Sequence, residues 1–71
     1  MEKLTKGQEK IYSIIKKYID KNGYPPTIRE ICEISKLSSP ATVHNYLKIL
    51  KRKKYINYIE KCSRTIKIIG E

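Results

Sequence analysis

Isoleucine, leucine, valine and tyrosine recur along the chain in three stripes of helical spacing, followed by two short runs of β-type residues. Ile11, Ile14, Ile15, Tyr18 and Ile19 share one helix face, whereas Lys10, Lys16, Lys17, Asp20 and Lys21 fall off it. Thr5 with Gln8 three residues on makes a capping box ahead of this stripe. Asn22-Gly23 closes it, because glycine readily takes the left-handed conformation just past a helix end. Tyr24-Pro25-Pro26 cannot continue a helix and forms a stiff extended connector. Thr27 with Glu30 is a second capping box, opening a short helix that turns Ile28, Ile31, Cys32 and Ile34 inward. Lys36-Leu37-Ser38 reads as a turn, with Leu37 plugging the space between helices. Ser39, an N-cap type, precedes Pro40, which is tolerated at a helix start because that N–H has no partner anyway. Val43, Tyr46, Leu47 and Leu50 then line a third core face. The predicted helices cover about 6–22, 28–35 and 40–53, with boundary errors of roughly two to four residues.

The remainder changes period. Tyr55-Ile56-Asn57-Tyr58-Ile59 and Thr65-Ile66-Lys67-Ile68-Ile69 are rich in β-branched and aromatic residues, and residues 60–64 join them. These runs predict a two-stranded hairpin, which is marginal alone and must pack on the helices. Tyr18, Tyr46 and Tyr55 are expected in the core, Tyr24 and Tyr58 at the surface. The fold class is mostly α with a small β-hairpin: a winged helix-turn-helix of three helices plus a two-stranded wing, a single domain over residues 1–71.

Composition sharpens the picture. With 71 residues the chain has room for one small core, burying about 60% of its unfolded surface. Lys and Arg outnumber Asp and Glu by 16 to 7, a net charge of +9. That excess suits a polyanionic partner, nucleic acid first and an acidic membrane second, although a lysine bias also serves plain solubility. Cys32 and Cys62 with a single histidine do not supply the four ligands of a structural zinc, so no metal or other cofactor is expected. Cys32 reads as a small core residue and both cysteines as free thiols of a reducing cytoplasm. No apolar run follows the basic start to make a signal peptide, and none reaches the roughly 18 residues of a membrane span.

The motifs resemble the N-terminal DNA-binding domain of the LexA repressor family, regulators of the bacterial SOS response, over nearly the whole chain. Leu4-Thr5 with Gln8 is similar to the family's opening. Gly23-Tyr24-Pro25-Pro26-Thr27 with Arg29-Glu30-Ile31 is similar to its most specific motif, and Ser39-Pro40 with Thr42-Val43-His44 and Leu47 to its recognition helix. Thr42-Val43-His44 is closer to the Gram-positive branch than to the enterobacterial one, and Ser63-Arg64 with Ile66 matches the second half of the wing. Lys36 and Lys54 stand where the family usually has glycine, and lysine held left-handed would cost on the order of 1 kcal/mol at each position. The family also implies a C-terminal part with a self-cleaving serine-lysine dyad that dimerises. Nothing resembling it lies in these residues, which suggests an isolated domain, either an excised piece or a stand-alone relative.

In this architecture the third helix enters the DNA major groove. Its outer face offers Ser39, Ala41, Thr42, His44 and Asn45 for base reading. Asn45 suits adenine, Ala41 or the Thr42 methyl suits a thymine methyl, and His44 can donate to a guanine acceptor or a phosphate. Thr27, Arg29, Lys48, Arg52, Lys53 and Arg64 are the candidates for the DNA backbone. A catalytic or metal role for His44 is disfavoured, since no Cys, Asp or Glu stands three or four residues from it on its helix. No constellation of acid, base and nucleophile suggests an enzyme. The expected partner is double-stranded DNA with palindromic half-sites, bound by a homodimer in a full-length setting, with no membrane and no small-molecule ligand. Two other classes stay open: a protein-interaction module for an acidic partner, and a membrane-surface helix built on the first stripe. A stand-alone winged-helix regulator is the nearer alternative.

Overall fold

The structure, a computed structural model, describes residues 3–37 and 39–69. Helix α1 runs Lys6–Asn22, α2 Ile28–Ser35 and α3 Pro40–Arg52, followed by strands β1 at Ile56–Asn57 and β2 at Lys67–Ile68. Ser38, read above as part of the turn after α2, lies outside the described residues.

Each helix starts where its cap dictates. The Gln8 N–H donates to Thr5 Oγ1 at 3.3 Å and the Thr5 N–H to Gln8 Oε1 at 3.0 Å. The same reciprocal box closes at Thr27 and Glu30, at 3.1 and 2.8 Å. At Ser39 the hydroxyl accepts from the Ala41 N–H at 3.2 Å. Gly23 ends α1 at φ 78°, its N–H donating to the Ile19 carbonyl. Helix α2 carries no basic residue in its last turn; Lys10 reaches over from α1 to donate to the Ser35 carbonyl at 3.4 Å. A cation there satisfies an orphan carbonyl and offsets the negative end of the helix dipole.

The three stripes meet in one core of Ile11, Ile15, Ile31, Val43, Leu47 and Leu50, extended by Ile56, Tyr58 and Ile66 from the hairpin. Each such aliphatic side chain contributes roughly 1.5–3 kcal/mol by leaving water. Ile14, Ile19, Ile28, Cys32, Leu37, Tyr46 and Tyr55 are half-buried around it, whereas Tyr18 is half-buried away from it, edge-on to Tyr24 at 5.9 Å. The Cys32 thiol donates to the Leu37 carbonyl at 3.0 Å, tying the turn to α2. Packing is close where α1 meets α3: a Cβ on Gly7 would stand 2.6 Å from the Tyr46 hydroxyl, so the Tyr46 ring would have to shift to admit one.

Three further expectations need correction. Ile34 is 48% exposed; at about 100° per residue it sits well off the arc shared by Ile28, Ile31 and Ser35. Tyr58 is buried, only 8% exposed, because strand alternation points it to the same side as buried Ile56. The hairpin is also shorter than the runs suggest. It pairs Ile56 with Ile68 and Asn57 with Lys67, antiparallel, and the Ile69 N–H reaches the Tyr55 carbonyl at 2.9 Å. Beyond Asn57 the ladder stops, since the Thr65 hydroxyl accepts from the Ile59 N–H at 2.9 Å in place of a backbone carbonyl. The turns at the two lysines that replace glycine do not relax: Lys36 has φ 61° and Lys54 φ 66°. The hairpin loop adds Lys61 at φ 63° and Arg64 at φ 57°.

Candidate nucleic-acid interface

Helix α2 packs across α3, and the core stripe of α3 leaves its opposite side bare. Ala41, Thr42, Asn45, Lys48 and Arg52 are all exposed there, at the spacing of one broad helix face. Ser39 stands half-buried at the start of that face, its hydroxyl already used as the cap. No acidic residue occurs in the first turn of α3, which leaves the positive end of the helix dipole uncompensated toward solvent.

His44 leans from this face toward the wing. Its Nε2 lies 3.9 Å from a Glu60 carboxylate oxygen, and its ring meets that of Tyr58 edge-on at 6.5 Å. Tyr58 is gripped from below by Lys51, whose ammonium sits 4.6 Å from the ring centre and donates to the Tyr58 carbonyl at 3.0 Å. Burial, with the Glu60 carboxylate nearby, pushes the Tyr58 phenol upward, and its hydroxyl has no hydrogen-bond partner in good geometry among the described residues.

A groove of about 350 Å³ opens between the start of α2, the flank of α3 and the wing, lined among others by Thr27, Arg29, His44, Lys61 and Arg64. Four residues singled out in the sequence as DNA contacts are thus brought together from three elements. Arg29 is exposed, while the Thr27 hydroxyl accepts from the Glu30 N–H. Arg64 is committed within the molecule. Its Nη1 donates to the Pro25 carbonyl at 3.0 Å and lies 3.0 Å from Glu30 Oε1, and its Nη2 donates to Glu30 Oε2 at 3.1 Å. The guanidinium also lies 4.8 Å from the centre of the Tyr24 ring. The Thr27 N–H foremost, then the Arg64 fork, hold the Glu30 carboxyl down at about 2. The same pairing raises Arg64 further.

Lys53 does not share the α3 face. Its Nζ donates to the Lys3 carbonyl and to Gln8 Oε1, both at 3.0 Å, pinning the end of α3 to the start of α1. Lys53, a backbone candidate in the sequence, is therefore an internal fastener, as is its neighbour Lys51. Glu60 and Lys61 had no mark in the sequence; their place beside α3 follows only from how the hairpin docks.

Two helices joined by a tight turn, the second with a bare polar face and flanked by a basic hairpin, define a winged helix-turn-helix DNA-binding domain. Comparison with known proteins agrees. The family described as LexA DNA binding domain matches residues 1–65. The LexA repressor of Carboxydothermus hydrogenoformans is 47% identical over 68 residues, covering 96% of this chain and 33% of that protein. The LexA repressor of Caldicellulosiruptor saccharolyticus is 46% identical, covering 99% and 35%. That of Staphylococcus epidermidis is 45% identical, covering 100% and 34%. The chain belongs to the LexA DNA-binding domain family, and spans about a third of the length of these curated relatives.

Proposed function

We propose that this chain is the operator-reading part of a LexA-type repressor of the SOS response. It acts in the bacterial cytoplasm by occupying a half-site and blocking transcription. The observation that carries this reading is the exposed face of α3, with Ala41, Thr42 and Asn45 outward and the wing beside it. Asn45 pairs with an adenine edge and Ala41 or Thr42 meets a thymine methyl. His44 and Ser39 sit at the two margins of the same face. Lys48, Arg52 and Arg29, with the Thr27 hydroxyl, hold the phosphates and release counterions, which supplies most of the affinity. Arg64 and Lys53 reach DNA only by giving up their partners inside the domain, so the phosphate set rests on the other residues. The partner is duplex DNA alone, with two copies on a palindrome; base reading needs neither a cofactor nor a small-molecule ligand.

Selection from a random duplex library tests this. Enrichment of one half-site motif is the expected result for the single domain, and of a palindrome with two such half-sites about one helical turn apart when two copies are joined. Lys48→Ala and Arg52→Ala should weaken binding to selected and random duplexes alike, each lowering the salt slope by about 1. A library that yields no enriched sequence would overturn the reading.

A further inference from the structure

The wing leaves the helical body after α3 and must be held at a fixed height over the DNA for its loop and the α3 face to act together. Its two arms are fastened differently. The first arm is pinned to α3 by Lys51, which donates to the Tyr58 carbonyl. The second arm carries Arg64, whose guanidinium reaches 39 residues back in sequence to the Pro25 carbonyl and 34 residues back to Glu30.

We propose that Arg64 and Glu30 form a latch that positions the wing for DNA binding, and that Arg64 is a positioning residue, not a phosphate contact. Three features support it. The guanidinium forks across both oxygens of one carboxylate while also donating to a proline carbonyl, a geometry that lysine cannot reproduce. Arg64 is held at φ 57°, a strained backbone for a residue with a side chain, which persists only where surrounding contacts over-determine it. Glu30 is in turn locked by the Thr27 N–H at 2.8 Å, so the latch anchors the wing to the capping box of α2, the helix that packs directly against the reading helix. The wing and the reading helix are thereby indexed to one rigid point.

This inference rests on the DNA-binding reading, and Glu30→Gln separates the two. Glutamine keeps the capping-box acceptor but removes the charge and weakens the fork. Simple electrostatics says that deleting a negative charge near DNA tightens binding; a latch says that it weakens it. On the selected duplex, Glu30→Gln, Arg64→Ala and Arg64→Lys should each lose roughly three- to tenfold in affinity, with much smaller losses on random duplex. The salt slope should stay near wild type. The double variant Glu30→Gln with Arg64→Ala should bind no worse than Arg64→Ala alone, as expected for partners in one contact. In the free domain, amide hydrogen exchange at Ile59 and Cys62, whose N–H groups bond within the wing loop, should accelerate by a similar factor in all three single variants, while exchange in α1 is unchanged. Tighter binding by Glu30→Gln, wild-type binding by Arg64→Lys, a slope lowered by about 1 in Arg64→Ala, or unchanged wing exchange would each overturn the latch. The exchange measurement needs no DNA, so it decides the latch even if no duplex were selected.

Discussion

Asn45 illustrates what a single side chain does in this domain. It is exposed, stands one turn into α3 and has no role in the core, so its removal leaves packing intact. Asn45→Ala should therefore fold as wild type and lose about 1–3 kcal/mol on the selected duplex, where a bidentate adenine contact is at stake. The loss on random duplex should be much smaller; equal losses in titrations of both would make Asn45 a backbone contact. Glu30 illustrates the opposite case, a charged residue whose contacts are all internal. Its carboxyl is held at about 2 against an ordinary value of 4.5. Between those values the unfolded chain binds more protons than the folded one, so the stability contributed by Glu30 is fully present above about pH 4.5 and is lost as pH falls toward 2. Thermal midpoints of wild type and Glu30→Gln should differ at neutral pH and converge across that window. A gap that persists below about pH 2 would show that the glutamine acts by another route.

At the scale of elements, the turns carry the strain. Lys36 after α2 and Lys54 after α3 are both left-handed, at φ 61° and 66°, where a side chain costs about 1 kcal/mol or more. The turns do not relax away from this conformation because the paths of α3 and β1 are already set by buried Leu50 and Ile56. Lys54→Gly removes the strain at Lys54 but adds unfolded-state entropy of about 0.5–1 kcal/mol. The net expectation is a gain of ~0.5 kcal/mol, seen as a rise of roughly 2–4 °C in the thermal midpoint. A lower midpoint would mean that the Lys54 side chain makes a stabilising contact that outweighs its backbone strain. The wing shows the complementary behaviour: with only two residues in each strand, it depends on side-chain fasteners for its order.

For the whole molecule the decisive quantity is valency. The domain is 27 × 26 × 22 Å, and among the described residues the large exposed apolar side chains, Tyr24, Ile34, Ile59 and Ile69, are scattered over the α1–α2 connector, α2, the wing and the segment after β2. None of these elements offers a broad apolar face of the kind that stable dimers bury. The isolated chain is therefore expected to sediment as a monomer and to bind half-sites weakly. Joining two copies through an unrelated dimeriser should raise affinity for a palindrome by roughly 10²–10⁴ through effective concentration alone. A tight free dimer at micromolar protein, or a fused dimer binding no better than the single domain, would contradict this.

The sequence by itself determined the helices, because their information is local. Thr5 with Gln8, Thr27 with Glu30, Ser39 with Pro40, and Gly23 each satisfy orphan backbone groups within a few residues, so α1 and α2 could be read to the residue and α3 to within one. The outer face of α3 was legible for the same reason: once Val43, Leu47 and Leu50 turn inward, Ala41, Asn45, Lys48 and Arg52 must face away. What only the tertiary structure decided are the long-range contacts of the basic residues. Lysines and arginines look alike in sequence, yet Lys48 and Arg52 point to solvent, Lys51 holds the wing, Lys53 fastens α3 to α1, and Arg64 closes on Glu30. Long flexible side chains carry no periodicity that marks their partner. A distant carboxylate or carbonyl recruits them only after the helices and hairpin have docked.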